Sequence, residues 1–163
     1  MVGLNIDFDF TDLEDGMDDF LTGIISRLVE AGEAGYNKAV SSGLYQNITG
    51  NLRSSIGYVV AVDGAIIKEG GFVKIKGGGP VGRLVGFSTK QGDIVSFWAK
   101  GRSGDGSLGS KQGLEYARSL AKSTSGYTLI VVAGMDYASY VNSKGYDVFD
   151  SAEIDVRILL GKE

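Results

Sequence analysis

The stretch TDLEDGMDDFLTGIISRLVEAGEAGYNKAVSS, from Thr11 to Ser42, predicts one long amphipathic helix. Its apolar residues recur three or four positions apart and so share one helical face: Leu13, Met17, Phe20, Leu21, Ile24, Leu28 and Ala31. Thr11 with Glu14 forms a capping box at the start, and Gly43 is a typical residue at which a helix ends. Two glycines late in the helix indicate either a close backbone approach or a kink: Gly32 and Gly35.

A β-hairpin is predicted beyond this helix. Apolar residues alternate along Ile56–Val62, which indicates a strand, and Asp63-Gly64 is a two-residue sequence favoured by type I′ turns. The returning strand is predicted over Ala65–Lys68, and extended chain continues through Phe72–Lys76.

Further segments complete a predicted sheet. Val81–Ser88 and Ile94–Trp98 indicate two strands joined by a turn, and the apolar run Tyr127–Ala133 is typical of a central strand. Ser151–Leu160 predicts a closing helix. The predicted fold is therefore α+β: a long N-terminal helix and a short C-terminal helix packed on a bent antiparallel sheet of five or six strands.

A glycine-rich segment, Ala99–Gly113, lacks any apolar periodicity and predicts a long mobile loop, followed by a short helix over Leu114–Lys122. Its basic residues make it a candidate interface loop: Lys100, Arg102 and Lys111. A P-loop is excluded, because Lys111 stands one position too late and neither serine nor threonine follows it.

The composition excludes several classes of chemistry. The chain has no cysteine and no histidine. Disulfide frameworks, zinc fingers, iron–sulfur clusters and the Ser-His-Asp triad are therefore ruled out. A hydrolase that relies on carboxylates is the least favoured alternative, because no paired carboxylates lie in an apolar or glycine-rich turn. We expect neither an enzyme nor a bound cofactor or metal.

Charge is distributed unevenly along the chain, whose formal net charge is −4. Residues 1–64 carry a net charge of −7, residues 65–122 a net charge of +6, and residues 123–163 a net charge of −3. This pattern describes either a set of solvated faces or a dipolar protomer whose acidic part meets the basic part of a neighbour. A nucleic-acid-binding module that uses the basic segment 65–122 is another alternative.

Two short motifs carry more specific information. Thr49-Gly50-Asn51-Leu52-Arg53-Ser54-Ser55 directly follows the long helix, and Tyr137-Ala138-Ser139-Tyr140-Val141 lies between the last strand and the last helix. These motifs and the order of elements resemble the tail-completion, or head–tail joining, family of tailed bacteriophages, often described as minor tail components. The matching residues are Thr49, Gly50, Leu52, Arg53, Ser55, Tyr137, Ala138, Tyr140 and Val141.

The resemblance implies a structural virion protein of a single domain, residues 1–163, with a glycine-rich insertion around residues 99–125. Such a subunit would form a homo-oligomeric ring in the neck, between the head connector and the tail tube or terminator, with passive contact to DNA in the lumen. It would be made in the host bacterial cytoplasm and end in the virion. The N-terminus lacks the basic and apolar regions of a signal peptide, which agrees with this expectation. Another virion ring component, a tail terminator or a head-closure protein, is the alternative.

The first motif also carries structural expectations. Thr49 is suited to cap a single helical turn, which would place Leu52 and Ile56 against the long helix. Leu52 is therefore expected to be buried between the long helix and the sheet. Arg53 is expected to point outward, either into solvent or toward an acidic partner.

Overall fold

The computed structural model describes residues 1–8, 17–43, 45, 47–79, 83–88, 94–99 and 103–161. The predicted capping box, Thr11 and Glu14, and the first turns of the predicted helix lie outside these residues. In chain order the elements are β1 (Val2–Phe8), α1 (Met17–Ser42), α2 (Asn51–Ser54), β2 (Ile56–Val62), β3 (Ala65–Gly71), β4 (Arg83–Ser88), β5 (Ile94–Ala99), α3 (Ser107–Ala121), β6 (Tyr127–Ala133), α4 (Ala138–Ser143) and α5 (Asp150–Leu159). The α+β class and the long N-terminal helix are confirmed.

The sheet contains four antiparallel strands in the order β1-β6-β2-β3. The prediction of five or six strands in this sheet is wrong, because among the described residues β4 and β5 pair with each other in a separate two-stranded sheet. The strand β6 is central, as predicted, and pairs with β1 on one side and β2 on the other. Every residue of β6 after Tyr127 is buried, which explains the uninterrupted apolar run.

Two hydrophobic cores cover the two faces of the sheet. On one face, Val131 and Leu129 of β6 belong to a core with Leu28 of α1 and Val156 of α5. On the other face, Ile130 and Val132 join Ala117 and Ala121 of α3. Neighbouring residues of one strand thus enter different cores, as the alternation of side chains along a strand requires.

The turn between β2 and β3 has the predicted type I′ geometry. Asp63 has φ 49° and Gly64 has φ 80°, and this turn needs positive φ at both central residues. The returning strand runs to Gly71, beyond the predicted end at Lys68, and contains a bulge opposite Val60 and Ala61.

Close packing against α1 explains its late glycines. A Cβ at Gly32 would lie 2.5 Å from the Tyr58 ring, and one at Gly35 would lie 2.6 Å from Val156 Cγ2. The close-approach interpretation of these glycines is thus the one that the packing supports. Phe20, which belongs to the predicted apolar face of the helix, is 42% exposed. None of the helices within the described residues has the length and hydropathy needed to cross a bilayer.

The predicted mobile loop is wrong from Ser107 onward, because α3 begins there rather than at Leu114. Asp105 supports the start of the helix: its Oδ1 accepts hydrogen bonds from the Ser107 amide at 3.0 Å and the Ser107 hydroxyl at 2.7 Å. These hydrogen bonds lower the pKa of Asp105. Lys100 and Arg102 of the candidate interface loop lie outside the described residues, and Lys111 lies on the helix.

Candidate functional site

The turn that contains the first motif lies between α1 and the sheet. Gly50 precedes α2 with φ 80°, and a Cβ there would clash with the backbone oxygen of Ile75. Only glycine therefore fits this position. Gly50, rather than Thr49, is the N-cap residue, although the Thr49 hydroxyl accepts a hydrogen bond from the Asn51 amide at 3.4 Å.

Two side chains of this turn are buried. Leu52 is only 5% exposed and belongs to the hydrophobic core between the sheet and helices α1 and α5, so its predicted burial is confirmed. Ser55 is fully buried and donates its hydroxyl proton to the Leu52 carbonyl at 2.8 Å. The Ser55 carbonyl accepts a hydrogen bond from the Gly134 amide at 3.1 Å, which ties the turn to the end of β6.

The predicted outward orientation of Arg53 is wrong. Its Nη2 donates a hydrogen bond to the Gly43 carbonyl at 2.8 Å, and its Cζ lies 5.3 Å from the centre of the Tyr45 ring. The guanidinium thus satisfies a carbonyl just beyond the end of α1, where helix geometry leaves acceptors free. Burial raises the pKa of Tyr45, and the nearby Arg53 charge opposes this effect.

The second motif forms the start of α4. Ala138 is fully buried, and Val141 is half-buried and packs against the core between the sheet and helices α1 and α5. Tyr140 is 63% exposed. The Lys144 Nζ lies 5.3 Å from the centre of the exposed Tyr140 ring. Burial raises the pKa of Tyr137, and the Thr49 hydroxyl acts in the opposite direction. Thr49 and Tyr137 therefore lie side by side.

The two motifs meet at one cleft, with a volume of about 510 Å³. The first motif contributes Thr49, Gly50, Asn51 and Leu52, and the second contributes Tyr137 and Val141. Five further lining residues were not predicted from the sequence as site residues: Tyr45, Asn47, Ile48, Met135 and Leu108. Leu108 comes from α3, within the segment predicted to be a loop, so its position was hidden by that error. Met135 lies just after the buried strand β6 and is separated from it by Gly134. This position next to a predicted central strand was a signal in the sequence that could have identified Met135.

Some basic side chains of the segment 65–122 form ion pairs with neighbouring carboxylates. Arg118 donates hydrogen bonds from Nε and Nη2 to the two carboxylate oxygens of Glu69, at 3.0 and 2.7 Å. Lys111 lies 4.0 Å from Glu115, its neighbour one turn along α3. Among the described residues, no group of three or more acidic side chains is placed to hold a metal ion.

Comparison with protein-family models, curated proteins and solved structures gave no match to this chain.

Proposed function

We propose that the chain is a structural subunit of a tailed bacteriophage, a tail-completion or neck protein that forms a ring between head connector and tail tube, with no catalytic role. The observation that carries the proposal is the meeting of the two resemblance motifs. They lie far apart in the sequence, yet Thr49 and Leu52 line the same cleft as Tyr137 and Val141. Coincidental matches would have no reason to converge in space.

The order of elements gives further support. A long N-terminal helix, a single-turn helix, antiparallel strands and a short C-terminal helix follow one another as the resemblance implies. This order supports the architecture of the proposed family but not the identity of the neighbouring proteins.

The surface around the cleft fits a protein that works by assembly. Leu108 and Tyr137 line the cleft and are 52% and 42% exposed. Exposed apolar and aromatic residues that cluster at one place mark protein interaction sites. The alternative is a nucleic-acid-binding module that uses the basic segment 65–122, in which Arg118 and Lys111 are engaged with Glu69 and Glu115.

The test uses phage particles from which the gene has been deleted, with and without a complementing copy. We expect mass spectrometry to find the protein in purified complete particles. Its loss should give DNA-filled heads and finished tails that remain separate, and the complementing copy should rejoin them.

Other outcomes distinguish the alternatives. Tails of uncontrolled length after deletion would indicate a tail terminator, and heads that lose their DNA would indicate a head-closure protein. Complete, infectious particles assembled without the subunit would refute a role in the neck.

A further inference from the structure

A groove beside the first half of α3 differs from the cleft in having cations in its lining. It has a volume of about 580 Å³ and is lined by six of the described residues: Lys74, Ser107, Leu108, Ser110, Lys111 and Leu114. Two of the six are lysines and none is an acid. The half-exposed Leu108 gives the groove an apolar edge. This basic groove therefore suits a ligand that carries carboxylates beside an apolar side chain.

Hydrogen bonds hold the two walls of the basic groove together. The Ile75 amide donates a hydrogen bond to the Ser54 hydroxyl at 2.7 Å, which fixes the residue after Lys74 against α2. The Ser110 hydroxyl donates a hydrogen bond to the Phe72 carbonyl. The wall that carries Lys74 is therefore anchored to the helix that carries the second lysine of the groove.

The two lysines of the groove can bind a carboxylate from another molecule. Among the described residues Lys74 forms no ion pair. Lys111 lies 4.0 Å from Glu115, but these side chains are 74% and 64% exposed, and such a pair is worth little because water screens it. The Lys74 charge reaches Asp105, whose Oδ1 already accepts two hydrogen bonds from Ser107. An incoming carboxylate therefore displaces no strong internal pair.

The acid-rich stretch of the chain begins and ends far from the basic groove. Residues 7–19 contain seven aspartates and glutamates and neither lysine nor arginine. In this stretch Asp7 pairs at the start of β6, and Asp19 is an exposed residue near the start of α1. The basic groove lies beyond the other end of β6, where Gly113 of α3 packs against Gly134.

This separation keeps the two charged surfaces of one chain apart. The strand β6 spans about 20 Å. Asp19 precedes Gly32, which packs near Leu129, by about 20 Å of helix. Interactions between exposed charges are largely screened beyond about 8 Å at physiological ionic strength. Neither surface is therefore neutralised within its own chain, and each copy presents one of each.

We infer that the basic groove of one copy of this chain binds the acid-rich residues 12–19 of a second copy. Carboxylates of the second copy face Lys74 and Lys111, and an apolar side chain of the same stretch packs against Leu108. A second copy is the matching partner, because every copy carries the complementary charge at its other end.

The contact joins two different surfaces, so it repeats head to tail and either closes a ring or extends a filament. The inference deepens the proposed function, on which it rests for closure into a ring.

Sedimentation velocity of the purified full-length protein tests the contact. Samples are measured up to about 1 mM, where a Kd of that size still gives dimers. They are compared at about 0.01 M and about 1 M salt, between which the screening length falls from about 30 to about 3 Å. We expect association at low salt and a Kd at least about tenfold higher at high salt. A wild type that stays monomeric at low salt, or associates equally at both, would overturn the inference.

Charge-reversed pairs locate the two halves of the contact. Lys74→Glu with Lys111→Glu alters the groove, and Asp18→Lys with Asp19→Lys alters the acid-rich stretch. Each pair alone should raise the Kd for self-association at least about tenfold. An equimolar mixture should associate again, because one variant keeps an intact groove and the other an intact acid-rich stretch. A mixture of folded variants that stays monomeric would contradict the head-to-tail contact.

Circular dichroism checks that each variant folds. Where a reversed pair does not fold, the neutral pairs Lys74→Gln with Lys111→Gln and Asp18→Asn with Asp19→Asn take its place, with the same expected loss and recovery.

Lys68→Glu with Lys122→Glu is the control, because it makes the same change in net charge at two exposed residues outside the groove. It should leave the Kd within about twofold, and a loss equal to that of the groove pair would overturn the inference. An oligothymidine probe that binds a monomeric wild type but not the groove variant would assign the groove to nucleic acid instead. Complete particles assembled without the subunit would refute the neck role and leave the measured self-association unchanged.

Discussion

Arg53 shows how a side chain that looks suited to an interface can serve the fold. Its sequence neighbours gave no sign of this role, because its acceptor, the Gly43 carbonyl, becomes available only where α1 ends beside α2. The stacking on Tyr45 likewise depends on a residue whose position follows from the path of the chain after α1. Prediction from the sequence identifies a cation after a turn, but it does not identify which carbonyl lies within hydrogen-bonding distance.

Arg53→Ala should therefore destabilise the protein by about 1–2 kcal/mol, which reflects a partly exposed, charge-assisted hydrogen bond. Urea denaturation measures this free energy of unfolding. Lys144→Ala is the matched control, because Lys144 stands at the same 5.3 Å from a tyrosine ring but is exposed. It should cost less than about 1 kcal/mol, and equal costs would contradict the structural role of Arg53.

Leu52→Ala should cost about 2–5 kcal/mol, because it leaves a cavity in the core beneath the cleft. Leu108 lines the same cleft from α3 and is half exposed. Leu108→Ala should change stability by no more than about 0.5 kcal/mol. Thermal unfolding of the two variants compares them directly, and an unchanged melting temperature for Leu52→Ala would refute the packing argument.

Tyr58 should make stability fall at high pH. Burial and the neighbouring Glu33 carboxylate, 3.2 Å from its hydroxyl, raise the pKa of Tyr58 from 10.0 to about 12. Because the folded state holds this proton more tightly, the contribution of Tyr58 is complete below pH 10 and is lost as pH rises from about 10 toward 12. The difference in tyrosinate absorbance between wild type and Tyr58→Phe isolates this group. Titration of Tyr58 near pH 10 in the folded protein would contradict the assignment.

At the scale of elements, α3 shows where prediction from sequence fails. Gly109 and Gly113 suggested a loop, yet these glycines lie where the helix touches other backbone: a Cβ at Gly109 would clash with the Asn51 carbonyl oxygen, and one at Gly113 with that of Ser55. Close backbone contact requires glycine because of tertiary packing, and local helix propensities carry no information about such packing. The hairpin at Asp63-Gly64, whose signal is local, was predicted correctly.

A pair of glycine substitutions tests this explanation. Gly113→Ala should destabilise the protein by about 1–3 kcal/mol, because the added methyl group forces α3 away from Ser55. Gly23→Ala on α1 meets no atom within 4 Å and should stabilise the protein by about 0.5–1 kcal/mol. Chemical denaturation measures the free energy of unfolding of both variants and distinguishes a loss of stability from a gain. A stabilising effect of Gly113→Ala would show that α3 does not pack closely on the turn.

At the scale of the whole molecule, β6 joins the two cores. Val131 enters the core of α1 and α5, whereas its neighbour Val132 enters the core of α3. The central, buried character of β6 was predicted from its apolar run, but its partners were not. The strand β1 was missed although Val2, Leu4, Ile6 and Phe8 alternate with Gly3, Asn5 and Asp7 in the local pattern of a strand; what no local pattern reveals is its partner β6, which lies far along the chain. The cleft was missed for the same reason, since its walls come from three distant segments.

The shared strand should make both cores unfold together. Val131→Ala and Val132→Ala should each cost about 1–3 kcal/mol and leave one cooperative transition. Val73→Ala, at an exposed position, should change stability by no more than about 0.5 kcal/mol. Circular dichroism and tyrosine fluorescence follow the transition, and non-coincident curves for either core variant would show that the two faces are independent.

The pairing of β1 with β6 sets the order of events on the ribosome. The strand β1 is made first, yet its partner leaves the ribosome only after residues 127–133 have been translated. At a synthesis rate of about 5–20 residues per second this delay is on the order of ten seconds. The strand β2 also pairs with β6, so this pairing cannot form until β6 has been translated. A nascent or truncated chain that ends before Tyr127 therefore carries unpaired strand edges, which makes it a substrate for chaperones and proteases until β6 arrives.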